Sequence, residues 1–160
     1  MIQYSVGEIL DSLDKAILEV LQADGRISNA ELARRINLSP PATHARVRQL
    51  EKRGFIRQYT ALLDREKSGF DLLCFIHMSL QLHQHVQIDK IQADIQQMSE
   101  VLEFYRLTGE FDYVLKVVVR HRKDLERFII DRLTSIPGVA RVQTSVVLTE
   151  IKSTTALSLE

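Results

Sequence analysis

Hydrophobic periodicity changes once along this chain, and that change decides its architecture. As far as Asp64 the apolar residues recur every three or four positions, the spacing of amphipathic helices. Beyond Phe70 they alternate in twos, the spacing of half-buried strands, with helical stretches between. A chain of 160 residues has room for two small domains, so the expected division is 1–64, a linker at 65–71 and 72–160. Ser68-Gly69 punctuates the linker.

The first part reads as three helices. Asp11 caps one carrying Leu13, Ile17, Leu18 and Leu21, and Gly25 stops it. Ser28-Asn29-Ala30-Glu31 has the form of a capping box ahead of a helix with Leu32, Ala33 and Ile36 inside. Asn37 suits the left-handed residue that ends such a helix. Ser39-Pro40 opens the third, serine at N-cap and proline where its missing N–H is not needed. Val47 and Leu50 turn inward, Lys52-Arg53-Gly54 closes the helix, and Phe55 to Leu63 reads as β-like.

The second part orders its elements β-α-β-β-α-β. The strand at Cys74–Leu82 is followed by a helix marked by Ile88, Ile91, Ile95 and Met98. Val101–Thr108 and Asp112–Val119 form a hairpin across Gly109-Glu110-Phe111. Leu125, Phe128, Ile129, Leu133 and Ile136 mark another helix, stopped by Pro137-Gly138, and Val139–Ile151 is the last strand. From Lys152 the tail is polar and expected to extend or fray. Right-handed crossovers turn this order into a four-stranded antiparallel sheet with both helices on one face, a ferredoxin-like α+β domain. Its other face then needs a second subunit, and Cys74, Ile76, Met78, Val117 and Val119 are candidates to line it.

Charge points to a partner. The net charge is zero, yet Arg26–Arg57 carries eight Lys/Arg against two Asp/Glu, +6 in 32 residues. Such a patch on a balanced chain is either the footprint of a partner with phosphates or a solvated helix surface, and charge alone does not choose between them. The unit from Ser28 to Arg53 has helix–turn–helix form, and its second helix fits a major groove about 12 Å wide. Pro41, Thr43, His44, Arg46, Arg48 and Gln49 are assigned to the reading face, with Lys52 and Arg57 beside it. The N–H groups near Ser28-Asn29 and Ser39 are further phosphate ligands.

Other chemistries find little support. His83-Gln84-His85 with His77 lacks the clustered partners a metal shell requires, so no metal is expected. No nucleophile elbow, phosphate loop or HExxH is present, so an enzyme is not expected. The single cysteine, Cys74, lies in the apolar run LLCFIHM and reads as reduced and buried, as in a cytoplasmic protein. No apolar run nears the ~18 residues of a membrane span, and the start MIQYSVGEIL lacks a leader pattern.

The segment Thr108-Gly109-Glu110-Phe111-Asp112-Tyr113 has two readings. One is a plain hairpin, with Gly109 at positive φ and Asp112 bonding the turn. The other is a site for a free amino acid, backbone N–H groups taking the carboxylate and Asp112 the ammonium.

LDSLDKAIL, DGRISNAELARRINLSP, RVRQLEKRGFIRQYTALLD, LTGEFDYVLKV and IPGV, from about Leu10 to Lys152, resemble the Lrp/AsnC or feast/famine family of bacterial and archaeal transcription factors. The resemblance implies a winged helix–turn–helix, a ferredoxin-like amino-acid-binding domain, and dimers assembled into often octameric rings. It implies that Asn29–Arg48 reads double-stranded DNA, while Pro41-Ala42-Thr43-His44-Ala45 departs from the best-known members and sets this chain's own operator. It also implies that the 108–113 loop lines an effector pocket between dimers, with Ser145, Val146 and Val147 near it. The expectation is a DNA-binding regulator modulated by an amino acid, with no other cofactor. The rivals are an effector-blind architectural DNA binder and an amino-acid-sensing subunit of an enzyme. The latter would not need the basic third helix.

Overall fold

The computed structural model describes residues 9–81 and 85–159, which form two compact units. One runs as far as Leu62 and takes in the tail from Lys152; the other spans Leu63–Ile151.

In the first unit α1 is Ser12–Ala23, α2 Asn29–Arg35 and α3 Pro40–Lys52. Each starts on the side chain the sequence indicated. Asp11 accepts the Asp14 N–H, Ser28 that of Glu31, and Ser39 that of Ala42. The capping box is only half formed, because the Glu31 carboxylate turns to Arg34 and Arg35 at 2.7 and 3.1 Å. Asn37 adopts φ 54° after α2, and Gly54 takes φ 77° after α3. Ile17, Leu18, Leu32, Ile36 and Leu50 make the core, with Val47 and Leu159 packed against it. Phe55 to Leu63 does not become a strand. Ile56 still bonds back to Leu50, but residues 57–62 run on without a strand partner among the described residues, and a β-ladder needs one.

In the second unit β1 is Leu72–Leu80, α4 His85–Gln96, β2 Val101–Arg106 and β3 Tyr113–Val119. α5, Arg122–Arg127, runs into a π-helical turn at Phe128–Leu133, and β4 is Val139–Val146. The sheet order is β2-β3-β1-β4, every pair antiparallel, which is the ferredoxin-like arrangement. Cys74, Ile76 and Met78 of β1 pack with Leu115 and Val117 of β3 against Ile91, Ile95, Leu125, Phe128 and Leu133. This corrects the expected lining of the open face: Cys74, Ile76, Met78, Val117 and Val119 all lie in the core with the helices. By strand alternation the open face carries Phe75 and His77 with Val114, Lys116, Glu103 and Tyr105. It is mixed rather than apolar, since Lys116 and Glu103 pair across it at 2.9 Å.

The last strand is also shorter than expected. β4 ends at Val146, the Val147 N–H makes one more bond to the Leu73 carbonyl, and Leu148 and Ile151 stand exposed. The tail beyond does not extend freely, nor does it belong with the sheet. The Gln22 amide brackets the Leu157 backbone, and Leu159 reaches the apolar core of the first unit. No helix among the described residues is long and apolar enough to cross a membrane.

Candidate nucleic-acid interface and effector turn

α3 is held by its buried side and by two polar ties. Thr43 is fully buried and its hydroxyl donates to the Ser39 carbonyl, so it packs and does not read DNA. The sequence placed it outward because threonine is polar, but the i−4 carbonyl satisfies its hydroxyl inside. Arg46 is also engaged: its guanidinium donates to Asp11 at 2.7 Å and to the buried Asp14 at 2.8 Å, tying α3 to α1. Arg53 reaches the other Asp14 oxygen at 3.5 Å and lies over the Phe55 ring. The Asp14 N–H and Arg46 together hold the Asp11 carboxyl below its ordinary range. The Asn29 amide donates to the Pro40 carbonyl at 2.8 Å, fixing α2 against α3. Ser28 and Ser39 serve as caps.

What remains exposed is a consistent surface. Pro41, His44, Arg48, Gln49, Lys52 and Arg57 are all exposed. Arg48, Lys52 and Arg57 make no ion pair among the described residues. Of the eight cations in the patch, Arg34, Arg35, Arg46 and Arg53 are paired with acids of their own unit. Glu31, inside the stretch, takes Arg34 and Arg35, but charge counting could not show the pairing of Arg46 and Arg53, because Asp11 and Asp14 lie outside the basic stretch in sequence.

The second constellation is the 107–112 turn joining β2 to β3. Gly109 has φ 116° and open space where a side chain would stand, so the conformation and not crowding calls for glycine. The Asp112 carboxylate accepts the Leu80 N–H at 2.8 Å, and its own N–H donates to the Met78 carbonyl. It therefore ties the turn to the end of β1. Tyr113 is buried with its hydroxyl bonded by Gln92, so it faces the helices and is removed from any open site. Thr108 and Glu110 are exposed. Phe111 packs against His77 with ring centres 5.2 Å apart and the planes tilted by 47°, and the Arg141 guanidinium lies 4.9 Å from the Phe111 ring centre while pairing with Glu110 at 2.6 Å. The His77 Nδ1 is buried without a hydrogen-bond partner. Sequence reasoning considers His77 only as a metal ligand and does not single out Arg141; the β1–β3 register, His77 opposite Val114, and the β1–β4 register, Ser79 opposite Arg141, bring them to the turn.

The structure does not bring Ser145, Val146 and Val147 to that turn within one chain. Ser145 pairs with Phe75 and Val146 with Cys74, whereas the turn meets β1 at Met78–Leu80. Three to five residues at about 3.3 Å each separate them. Among the described residues no group of three His, Cys, Asp or Glu could hold a metal. His83 and Gln84 lie outside the described residues, as does the side chain of His85.

Family models match both units: a winged helix-turn-helix DNA-binding model over residues 10–57 and the Lrp/AsnC ligand binding domain over 73–157. The chain belongs to the Lrp/AsnC family. The leucine-responsive regulatory protein of Salmonella typhimurium is 38% identical over 154 residues, covering 96% of this chain and 94% of the relative. A transcriptional regulator from Neisseria meningitidis, solved in complex with L-methionine, superposes with TM-score 0.91 at 40% identity, covering 94% and 97%. A feast or famine regulatory protein from M. tuberculosis, also complexed with L-methionine, gives 0.82 at 33% over 91% and 96%. As a Lrp/AsnC member the chain is a DNA-binding transcription regulator with a ligand-binding domain, and not an enzyme.

Proposed function

We propose that this Lrp/AsnC protein binds double-stranded DNA in the cytoplasm through α3 and changes its grip when a free amino acid occupies the 108–112 turn. The observation that carries the DNA assignment is the exposed set Arg48, Lys52 and Arg57, left without acidic partners while the other arginines of α2 and α3 are paired. His44 and Gln49 flank Arg48 and supply base-edge contacts. Arg46 acts by positioning the helix.

The turn suits a zwitterion. Glu110 and Arg141 place an opposite-charge pair beside the Phe111 ring, and His77 Nδ1 offers an unpartnered polar atom. A zwitterion removed from water needs both ends matched, because each unmatched charge costs several kcal/mol. Asp112 can accept from an ammonium while keeping Leu80, since a carboxylate has about four acceptor sites. Ser145–Val147 enter the site from another subunit, in keeping with their separation along β1. The mixed face with Phe75 and Tyr105 joins two copies, and dimers assemble further towards an octamer.

The test pairs a thermal screen of the twenty amino acids with DNA titrations in the presence of the best one. A ligand for the native state raises its melting temperature by mass action. The reading expects one or a few stabilising amino acids, each altering DNA affinity or footprint, and an Asp112→Asn chain that binds operator but no longer responds. An unresponsive wild type would leave an architectural DNA binder. A variant that responds at the wild-type concentration would make Asp112 a hairpin residue only.

A further inference from the structure

The regulatory unit has an excess of acid, and one stretch of it runs the other way. Leu63–Ile151 carries thirteen Asp/Glu against eleven Lys/Arg. Three of those eleven fall within Arg120–Lys123, which leaves eight against thirteen in the rest. Where acids are in surplus, cations find partners: Arg65, Lys67, Lys116, Arg132 and Arg141 are all paired. Arg120, Arg122 and Lys123 are exposed and pair with no acid among the described residues. The next residue, Asp124, turns its carboxylate to the His121 N–H at 3.1 Å.

The stretch is also held in shape. Arg120 follows β3 directly, and Val119 pairs with Leu72, so Arg120 stands beside the chain's entry into β1. There residues 64–70 close a helical turn: the Ser68 N–H donates to the Asp64 carbonyl, that of Gly69 to Glu66 and that of Phe70 to Arg65. The Arg65 guanidinium adds a 2.6 Å bond to the Phe70 carbonyl. Gly69 ends the turn at φ 80°, and a Cβ on it would stand 2.9 Å from the Arg120 Nη1, so glycine also leaves that side chain room to lie down. The Arg120 guanidinium rests over the Phe70 ring, 4.6 Å from its centre. A guanidinium stacked in this way is ordered in advance and keeps its N–H donors for an oxyanion. Arg122 and Lys123 follow at once as the first residues of α5.

A fixed guanidinium with two exposed cations beside it, in a unit otherwise acidic, suits a polyanion whose charges repeat at short intervals. Duplex DNA carries one charge per about 1.7 Å of axis, and a chain of this family meets it as a DNA-binding regulator. We infer that Arg120, Arg122 and Lys123 form a second DNA-contacting surface, on the regulatory unit, which takes phosphates without reading bases. The inference rests on DNA binding by the family and not on which residues of α3 do the reading. It gives the regulatory unit a contact with DNA besides its ligand-binding and assembly roles.

The test uses the full-length chain with Arg122→Gln and Lys123→Gln together, so that Arg120 keeps its place on Phe70. A charge-matched control, Lys90→Gln with Arg106→Gln, removes two exposed cations elsewhere in the same unit. Fluorescence anisotropy at four salt concentrations measures binding to an operator duplex of about 20 bp, two helical turns, and to the same operator centred in about 60 bp. Two phosphates at about 0.9 each make the variant's log–log slope on the long duplex shallower by about 1.8 for every chain that touches it. Its loss of affinity between 50 and 200 mM salt should then be about tenfold smaller than that of wild type. On the short duplex, which the helix–turn–helix units fill, the variant should match wild type, and the control should do so on both. Melting temperature and particle mass should not change.

Equal slopes for variant and wild type on the long duplex overturn the second surface. A control that shifts the slope as far as the variant overturns it as well, since net charge alone is then at work. So does a fall in the variant's particle mass, which would make the stretch a contact between copies of the chain. A wild type that binds neither duplex overturns DNA binding by this chain first, and the second surface falls with it.

Discussion

Arg46 and Arg48 sit two residues apart on α3, and the structure gives them opposite duties. Arg46 holds Asp11 and Asp14, while Arg48 is exposed and makes no ion pair among the described residues. Two DNA-binding units, each presenting Arg48, Lys52 and Arg57, neutralise six phosphates. At about 0.9 per phosphate the log–log salt slope is then about −5, a loss of about a thousandfold between 50 and 200 mM salt. Arg48→Ala removes one cation per unit, which should reduce the slope to about −3.6 and the loss to about 150-fold. Its thermal stability should match wild type. Arg46→Ala should do the reverse. It breaks charged hydrogen bonds worth about 1.5–3 kcal/mol, discounted to about 1–2 because the Arg46 side chain keeps 33% exposure. That predicts a fall of about 5–15 °C in the melting of this unit with the salt slope unchanged. Fluorescence anisotropy at four salt concentrations and calorimetry on the same preparations measure both quantities. If Arg46→Ala flattens the slope as much as Arg48→Ala, Arg46 leaves its carboxylates for DNA and the division of labour is wrong.

Three further outcomes follow from burial and charge. Hydrogen bonds from Arg34 and then Arg35 hold the Glu31 carboxyl at about 2, and Asp11 is also low. Both acids bind protons more weakly folded than unfolded, so their stabilisation is complete above an ordinary pKa of about 4 and is lost as pH falls through the folded value. The melting temperature should drop on that acid side, and Glu31→Gln should shallow the drop; an unaltered profile would show that the arginines are solvated. Phe128 is 1% exposed at the centre of the regulatory core, so Phe128→Ala should cost about 3–5 kcal/mol in urea unfolding of that unit. Phe75→Lys puts a charge on the open sheet face and should reduce the particle mass in light scattering, whereas an unchanged mass would place the self-association elsewhere.

Much of this molecule is legible in its sequence because its signals are local. Asp11, Ser28, Ser39, Asn37 and Gly54 mark helix ends through bonds within four residues, and each does so in the structure. The β-α-β-β-α-β order leaves few topologies once crossovers are right-handed, and the sheet follows. The illegible part depends on distant pairings. Arg46 reads as a free cation until α1 packs beside α3. Alternation in β1 divides Cys74, Ile76 and Met78 from Phe75 and His77 but does not say which set meets the helices, since both contain apolar residues. The tail reads as free to fray because Gln22, which holds it, lies 135 residues away. Nothing in FIIDRL announces the π-helical turn at Phe128–Leu133.

The reading surface of α3 can be narrowed by the helix's own geometry. At 100° per residue, Thr43, Arg46, Val47 and Leu50 share one side, the side that is buried or tied to α1. Diametrically opposite, Pro41, Ala45, Arg48 and Lys52 fall in a single stripe, with His44 and Gln49 at its two borders. Along that stripe Ala45 stands between Pro41 and Arg48 and presents only a methyl group. A small residue there lets the helix backbone approach the base edges closely, with Arg48 one turn further on to reach guanine and Lys52 beyond it to meet a phosphate. Ala45 should therefore be the least tolerant position on α3, although it is exposed and makes no polar contact. Ala45→Glu sets a carboxylate against the phosphates and lengthens the side chain where the fit is closest, and it should abolish operator binding with the unit's melting unchanged. Ala45→Ser keeps the size and should keep binding, with altered preference at one base pair. Equal binding by Ala45→Glu and wild type would mean that the stripe does not face DNA. His44 and Gln49, on the borders, would then be the place to look.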